Sequence, residues 1–178
     1  MTKYVAFLRG INVGGNNLIK MDNLREEFKK MNFQSVETYI QSGNVIFQSN
    51  ILNKTKIEKK IESTLSNTFK YNAKILVRSQ KDIENVILHF PKIFDNSEWK
   101  HNIIFLSDKI DSKDILTKLE TKPDIEINSY HKGVLFWSAK NDTITKSNML
   151  KLSSREEYKE MTVRNINTTR KIFELMKK

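Results

Sequence analysis

Lys3-Tyr4-Val5-Ala6-Phe7-Leu8-Arg9 is an apolar run stopped by Gly10, and its composition reads as a β-strand. Tyr4, Ala6 and Leu8 alternate with Val5 and Phe7, so apolar side chains point both ways and both sheet faces are expected to be covered. Beyond it, Met21, Leu24, Phe28 and Met31 recur at helical spacing. Residues 36–41 and 44–48 are short β-rich runs parted by Ser42 and Gly43, the pattern of a tight hairpin. Ile57, Ile61, Leu65 and Phe69 recur every four residues behind Asn53, an N-cap candidate, and residues 74–78 form another strand. The order is β-α-β-β-α-β.

Ser79 and Asp82 then make an acidic variant of the capping box, ahead of a helix with Ile83, Val86 and Ile87 as its apolar stripe and Pro91 as its stop. The pattern begins again with a strand over residues 101–107 and a helix capped by Asp111 that carries Ile115, Leu116 and Leu119. Residues 125–130 and 134–138 make a hairpin turning at Gly133. A helix opening at Ser147 or Asn148 and running through Leu152, a short strand over residues 161–164, and a last helix from about Asn167 through Met176 complete it.

Local similarities line up in the same order. Ala6-Phe7-Leu8 matches Ile104-Phe105-Leu106, Tyr39 to Phe47 matches Tyr130 to Trp137, and Val77-Arg78 matches Val163-Arg164. A repeat of about 90 residues is too long for a solenoid unit and fits a duplicated ferredoxin-like domain. The fold expected is α+β, with a first half over residues 1–78, a connecting helix and loop over 79–99, and a second half with a C-terminal helix over 100–178.

The chain of 178 residues and 20.9 kDa is large enough to bury a core, with 38% hydrophobic residues and a net charge of +10. Of its 31 basic residues 25 are Lys and six are Arg, and the lysines are spread along the chain, so the charge by itself marks no binding face. It has no cysteine, which excludes disulfides, thiolate catalysis and zinc–thiolate sites. The start Met1-Thr2-Lys3-Tyr4-Val5 has no apolar signal region, and no stretch approaches the ~18 apolar residues of a membrane span. A cytoplasmic protein without a membrane partner is therefore expected.

All five glycines lie in two kinds of place: Gly10, Gly14 and Gly15 after the first strand, and Gly43 and Gly133 in the hairpins. In this topology the first two strands point the same way, so residues 10–17 and 41–44 are expected to meet at one edge of the sheet. That edge carries Arg9, Asn12, Asn16, Asn17, Gln41, Ser42 and Asn44 beside glycine backbone, a donor-rich, acid-poor set suited to an anion such as phosphate. The same residues would equally serve a tight turn with self-satisfied loops. No phosphate-loop or dinucleotide glycine pattern is present. The matching edge of the second half, with Ser107, Asp108 and Lys109 beside His131 and Lys132, lacks that glycine density, which puts any single site in the first half. Near the end, Thr162, Arg164, Asn165, Asn167 and Thr168 surround a strand-to-helix junction where capping, or a second anion site, is expected.

Three segments, Leu8 to Asn17, Thr38-Tyr39-Ile40-Gln41-Ser42-Gly43-Asn44-Val45, and Thr162 with Arg164-Asn165, resemble the bacterial domain-of-unknown-function 1697 family along essentially the whole chain. The resemblance implies tandem ferredoxin-like halves and no particular activity. It also implies Trp after Arg-Asn and Thr before it, where this chain has Ile166 and Val163, while Arg164, Asn165 and Thr168 match.

For chemistry, His89, His101 and His131 read as isolated from one another, and no metal site or cofactor is expected. Ser42 lacks an identifiable base, and Glu26 with Lys29 and Lys30, like Glu156 and Glu157 near Lys159, reads as solvated ion pairs. The function expected is a non-catalytic binding module for a phosphorylated small molecule or nucleic acid. Its ligand-binding residues would be Arg9, Gly10, Asn12, Gly14, Gly15, Asn16, Gln41, Ser42, Gly43, Asn44, Arg164, Asn165 and Thr168. The alternatives are an enzyme on a phosphorylated or nucleotide substrate, with Arg9 and Arg164 as charge clamps, and a structural or interaction protein with no small-molecule site, a scaffold whose motif residues lock the two half-domains together. The RNA-recognition strand pattern does not match Gly43-Asn44-Val45-Ile46-Phe47.

Overall fold

The computed structural model describes residues 1–15, 17–92 and 96–178. They form two compact units, Met1–Glu84 with Lys171–Lys178, and Asn85–Arg170.

The first unit contains β1 (Thr2–Leu8), α1 (Met21–Lys30), β2 (Gln34–Tyr39), β3 (Asn44–Ser49), α2 (Lys54–Phe69) and β4 (Ile75–Ser79). The strands form one antiparallel sheet in the order β2-β3-β1-β4. Because β1 and β2 both run against β3, their C-terminal ends, Leu8 and Tyr39, reach the same edge. Leu24 and Phe28 of α1 and Ile57, Ile61 and Leu65 of α2 bury against Tyr4, Ala6, Leu8, Val45 and Phe47. The alternate residues Val5, Phe7 and Ile46 are also buried, as the two-sided apolar pattern requires. Asn53 caps α2 by accepting from Lys56 N at 2.9 Å. At the start of α3 (Gln80–His89) Asp82 accepts from Ser79 N at 2.8 Å while Ser79 Oγ accepts from Asp82 N at 3.2 Å, the reciprocal cap expected there.

The second unit repeats the sheet with β5 (Trp99–Leu106), β6 (Glu126–His131), β7 (Val134–Lys140) and β8 (Met161–Asn165) in the order β6-β7-β5-β8. Between β5 and β6 lies a single turn of helix, α4 (Ile115–Lys118), and β8 leads into α5 (Ile166–Lys177). Equivalent hydrogen bonds confirm the duplication. Leu8 N donates to Gly43 O at 2.8 Å and Leu106 N to Gly133 O at 3.0 Å; Arg9 N donates to Lys74 O at 3.0 Å and Ser107 N to Glu160 O at 2.9 Å. Strand registers place Ala6-Phe7-Leu8 on Ile104-Phe105-Leu106 and Val77-Arg78 on Val163-Arg164. Phe47 falls on Trp137, but Tyr39 falls on His131 rather than Tyr130. The slip arises because residues 40–43 connect the first hairpin and only 132–133 the second.

Two expectations fail in this unit. Asp111 caps no helix: its Oδ1 accepts from Gly133 N at 2.7 Å and Tyr130 Oη at 2.9 Å, tying the loop after β5 to the hairpin. The helix expected through Leu152 is replaced by three 3₁₀ segments, Ile144–Lys146, Asn148–Ser154 and Glu156–Glu160. Where the second begins, fully buried Glu126 anchors the chain: its carboxylate accepts from Lys122 N at 3.1 Å, Asn148 N at 3.0 Å, Trp137 Nε1 at 3.1 Å and the Ser147 hydroxyl. Ser147 Oγ also accepts from Met149 N as the N-cap of the second segment, and Ser154 Oγ donates to Lys151 O at its end.

Burial raises the affinity of Glu126 for a proton, but the bonds from Ser147, Asn148, Lys122 and Trp137 outweigh it and hold the carboxyl below its ordinary value. Its stabilisation is therefore complete above the unfolded-state pKa and lost as pH falls through the depressed folded value. Glu126→Gln is expected to cost about 2 kcal/mol or more at neutral pH, the scale of a lost charged hydrogen-bond set. In urea melts the gap to wild type should narrow steadily as the pH is lowered below about 4.

Candidate functional site

The loop after β1 and the β2–β3 connection meet as the topology requires. Along residues 10–14 the backbone alternates in hand: Gly10 (φ 66°), Asn12 (φ 53°) and Gly14 (φ 60°) are left-handed, while Ile11 and Val13 are not; Gly15 (φ 79°) and Asn17 (φ 48°) are left-handed too. Alternating handedness turns successive N–H groups toward one side, which is the geometry of an anion nest. A Cβ placed on Gly10 or Gly15 would meet nothing within 4 Å, so these glycines are required by φ and leave open space around them.

Asn12 builds this loop. Its Oδ1 accepts from Ile19 N at 2.8 Å, and its Nδ2 donates to Ile19 O and to Gln41 O, each at 3.0 Å. Asn17 Nδ2 donates to Gly10 O at 2.8 Å, and Asn12 N to Asn17 O at 3.2 Å. On the hairpin, fully buried Asn44 donates to Tyr39 O at 3.0 Å and to Ser42 Oγ at 3.2 Å. The amides read from sequence as outward donors are thus used to shape the rim. Exposed along the rim are Gly10, Val13, Gly14, Gly15 and Gln41, while Arg9 and Ser42 are half-buried. Asn16 lies outside the described residues.

Three features at this edge carry no sequence signal. Val13, Leu18 and Ile40 are exposed apolar side chains. Ile40 adopts φ 51°, a conformation that a β-branched residue takes only under strain. Gly43, by contrast, is closely packed: a Cβ there would lie 2.8 Å from Leu8 Cβ and from Ile11 Cδ1.

Arg164, Asn165 and Thr168 belong to the second unit. Arg164 Nη1 donates to Val163 O at 2.8 Å, and Arg78 Nη1 donates to Val77 O at 2.9 Å in the first unit, so this arginine geometry is a feature of the duplicated strand. Burial, partly offset by Tyr158, pulls the Arg164 guanidinium down to about 10, which leaves it charged at neutral pH. Asn165 Oδ1 accepts from Asn167 N at 2.8 Å and caps α5, while Thr168 is half-buried on its first turn. Beside them a polar cleft of about 480 Å³ is lined by Trp99, Lys100, His101, Asn141 and Asn167.

The histidines depart from expectation in one respect. His89 and His131 are not isolated: their rings stack with centroids 4.0 Å apart, where the β6–β7 hairpin meets the last turn of α3. Burial and the neighbouring His89 lower the His131 pKa. Among the described residues no cluster of His, Asp and Glu is placed to hold a metal ion, and no helix is long and apolar enough to cross a membrane.

Fold and rim together define a protein of duplicated ferredoxin-like halves in which one half alone has a glycine-rich edge. Residues 1–137 match the family described as protein of unknown function (DUF1697), and the chain belongs to that family. It is similar to the solved structure of the conserved bacterial protein SP0830 from Streptococcus pneumoniae, with 27% identity, 98% of each chain covered and a TM-score of 0.85. No curated protein matches the chain.

Asn12→Ala removes three hydrogen bonds and is expected to destabilise by about 2 kcal/mol, with faster amide exchange confined to residues 9–19 and 40–43. Ile40→Asn should instead raise stability by about 1 kcal/mol, because Asn tolerates the left-handed conformation. Thermal melts of the two variants check both signs.

Proposed function

We propose that this protein is a non-catalytic binding module for a phosphate-bearing ligand, held by the first-unit rim of residues 9–15 with the 41–44 turn. The observation that carries the reading is the alternating backbone hand over residues 10–14, the pattern of an anion nest, in a glycine loop with open space around Gly10 and Gly15. Arg9 supplies the adjacent positive charge, and a net charge of +10 favours approach of any anion. A phosphorylated small molecule and a nucleic-acid backbone offer the rim the same chemistry. A scaffold role is the second reading, favoured by the use of the Asn12, Asn17 and Asn44 amides inside the loops.

Calorimetric titration with inorganic pyrophosphate and with a short single-stranded oligonucleotide, at about 50 and about 200 mM salt, separates the sources. A nucleic-acid ligand should bind with a steep salt slope, and a small-molecule site should prefer pyrophosphate. Arg9→Ala is expected to weaken binding about tenfold, a loss near 1.4 kcal/mol, with little change in Tm. Silence with both probes, together with a lowered Tm in Arg9→Ala, would assign the rim to the scaffold reading.

A further inference from the structure

The second unit differs from the first in what covers its sheet. In the first unit α2, sixteen residues long, lays Ile57, Ile61 and Leu65 on the sheet. In the second, the 3₁₀ segments bury only Leu152, and a cavity of about 310 Å³ opens between them and the strands. Strand register shows why the space is there. Tyr4 pairs with Phe47, and its equivalent Asn102 pairs with Trp137. The Tyr4 ring is buried, stacks on Phe47 with centroids 5.9 Å apart, and donates its hydroxyl to Ile51 O at 3.1 Å. Asn102 puts a short amide where the duplicate has a phenol, so the room a ring occupies in the first unit contributes to a cavity in the second.

The lining specifies chemistry. Met149, Leu152 and Val163 give apolar walls, and Tyr158 adds an aromatic one. Asn102 is more than nine-tenths buried, and its Nδ2 donates to Met149 Sδ at 3.2 Å, a thioether and hence a weak acceptor. A ligand oxygen would be a better partner for that amide. Among the described residues of the lining, exposed Lys100 is the one cation and none is a carboxylate. The volume is about twice the ~150 Å³ that admits benzene in an engineered apolar cavity. It lies at the small end of natural ligand pockets, about 300 to 1,000 Å³.

We infer that the second unit binds a small aromatic monocarboxylate, with its ring in the space over Asn102, an oxygen near the Asn102 amide, and its carboxylate toward Lys100. This site is independent of the phosphate reading, which rests on the first unit. The test titrates the full chain with 3-phenylpropanoate, using 3-phenylpropanol as the uncharged control, and follows heat and Tm.

The acid is expected to bind with Kd below about 1 mM and the alcohol at least about tenfold more weakly. Asn102→Tyr, which restores the first unit's residue, should abolish binding by filling the space. Lys100→Met should bring the acid down to the affinity of the alcohol. Equal binding of acid and alcohol, no binding at low-millimolar acid, or unchanged affinity in folded Asn102→Tyr would each overturn the proposal. Should Asn102→Tyr fail to fold, unchanged affinity in Lys100→Met overturns it by itself.

Discussion

The hydrogen bond from Leu8 N to Gly43 O joins the end of β1 to the β2–β3 connection, and the rim depends on it. It follows from the sheet order, since β3 lies between β2 and β1 and runs against both. Once that order is set, the chain leaving β1 and the chain leaving β2 must share an edge. Gly43 permits the approach, because Leu8 and Ile11 occupy the space a side chain would need. Asn12 then spans from the loop to Gln41 O, and the loop backbone is held in a shape that costs conformational freedom. Strain at Ile40 is tolerated because its neighbours are pinned from both sides.

The second unit keeps the same edge bond, Leu106 N to Gly133 O, yet builds something else around it. Its hairpin is shorter, and Asp111 takes the bridging role that an amide has in the first unit. Its strands retain their register, but the chain after β7 forms 3₁₀ turns, anchored at Ser147 and Asn148 by Glu126. Antiparallel pairing is set by backbone geometry and survives substitution, whereas the covering layer depends on a few polar side chains. The duplicated fold has thus diverged at its edge in one unit and beneath its cover in the other.

The strand-helix order was legible because hydrophobic period is a local property. Residues 3–9 and 101–107 announce strands in any context, and Asn53 and the Ser79–Asp82 pair cap where they were expected to. The meeting of residues 10–17 with 41–44 was legible at one remove, from topology. The anchoring of Ser147 and Asn148 by Glu126 was not, because Glu126 is distant in sequence and meets them only when β6 is beside that segment. The stacking of His89 on His131 was hidden for the same reason.

By itself the sequence determined the α+β duplication, the position of the glycine-rich edge and the family, since each rests on short-range pattern and repeated motifs. Tertiary structure decided which groups face outward. It turned the Asn12, Asn17 and Asn44 amides inward to backbone partners, and it opened a cavity at Asn102 where Tyr4 fills the equivalent place. The reason is physical: a residue's type sets which bonds it can make, but only its packed neighbours determine which of them are made.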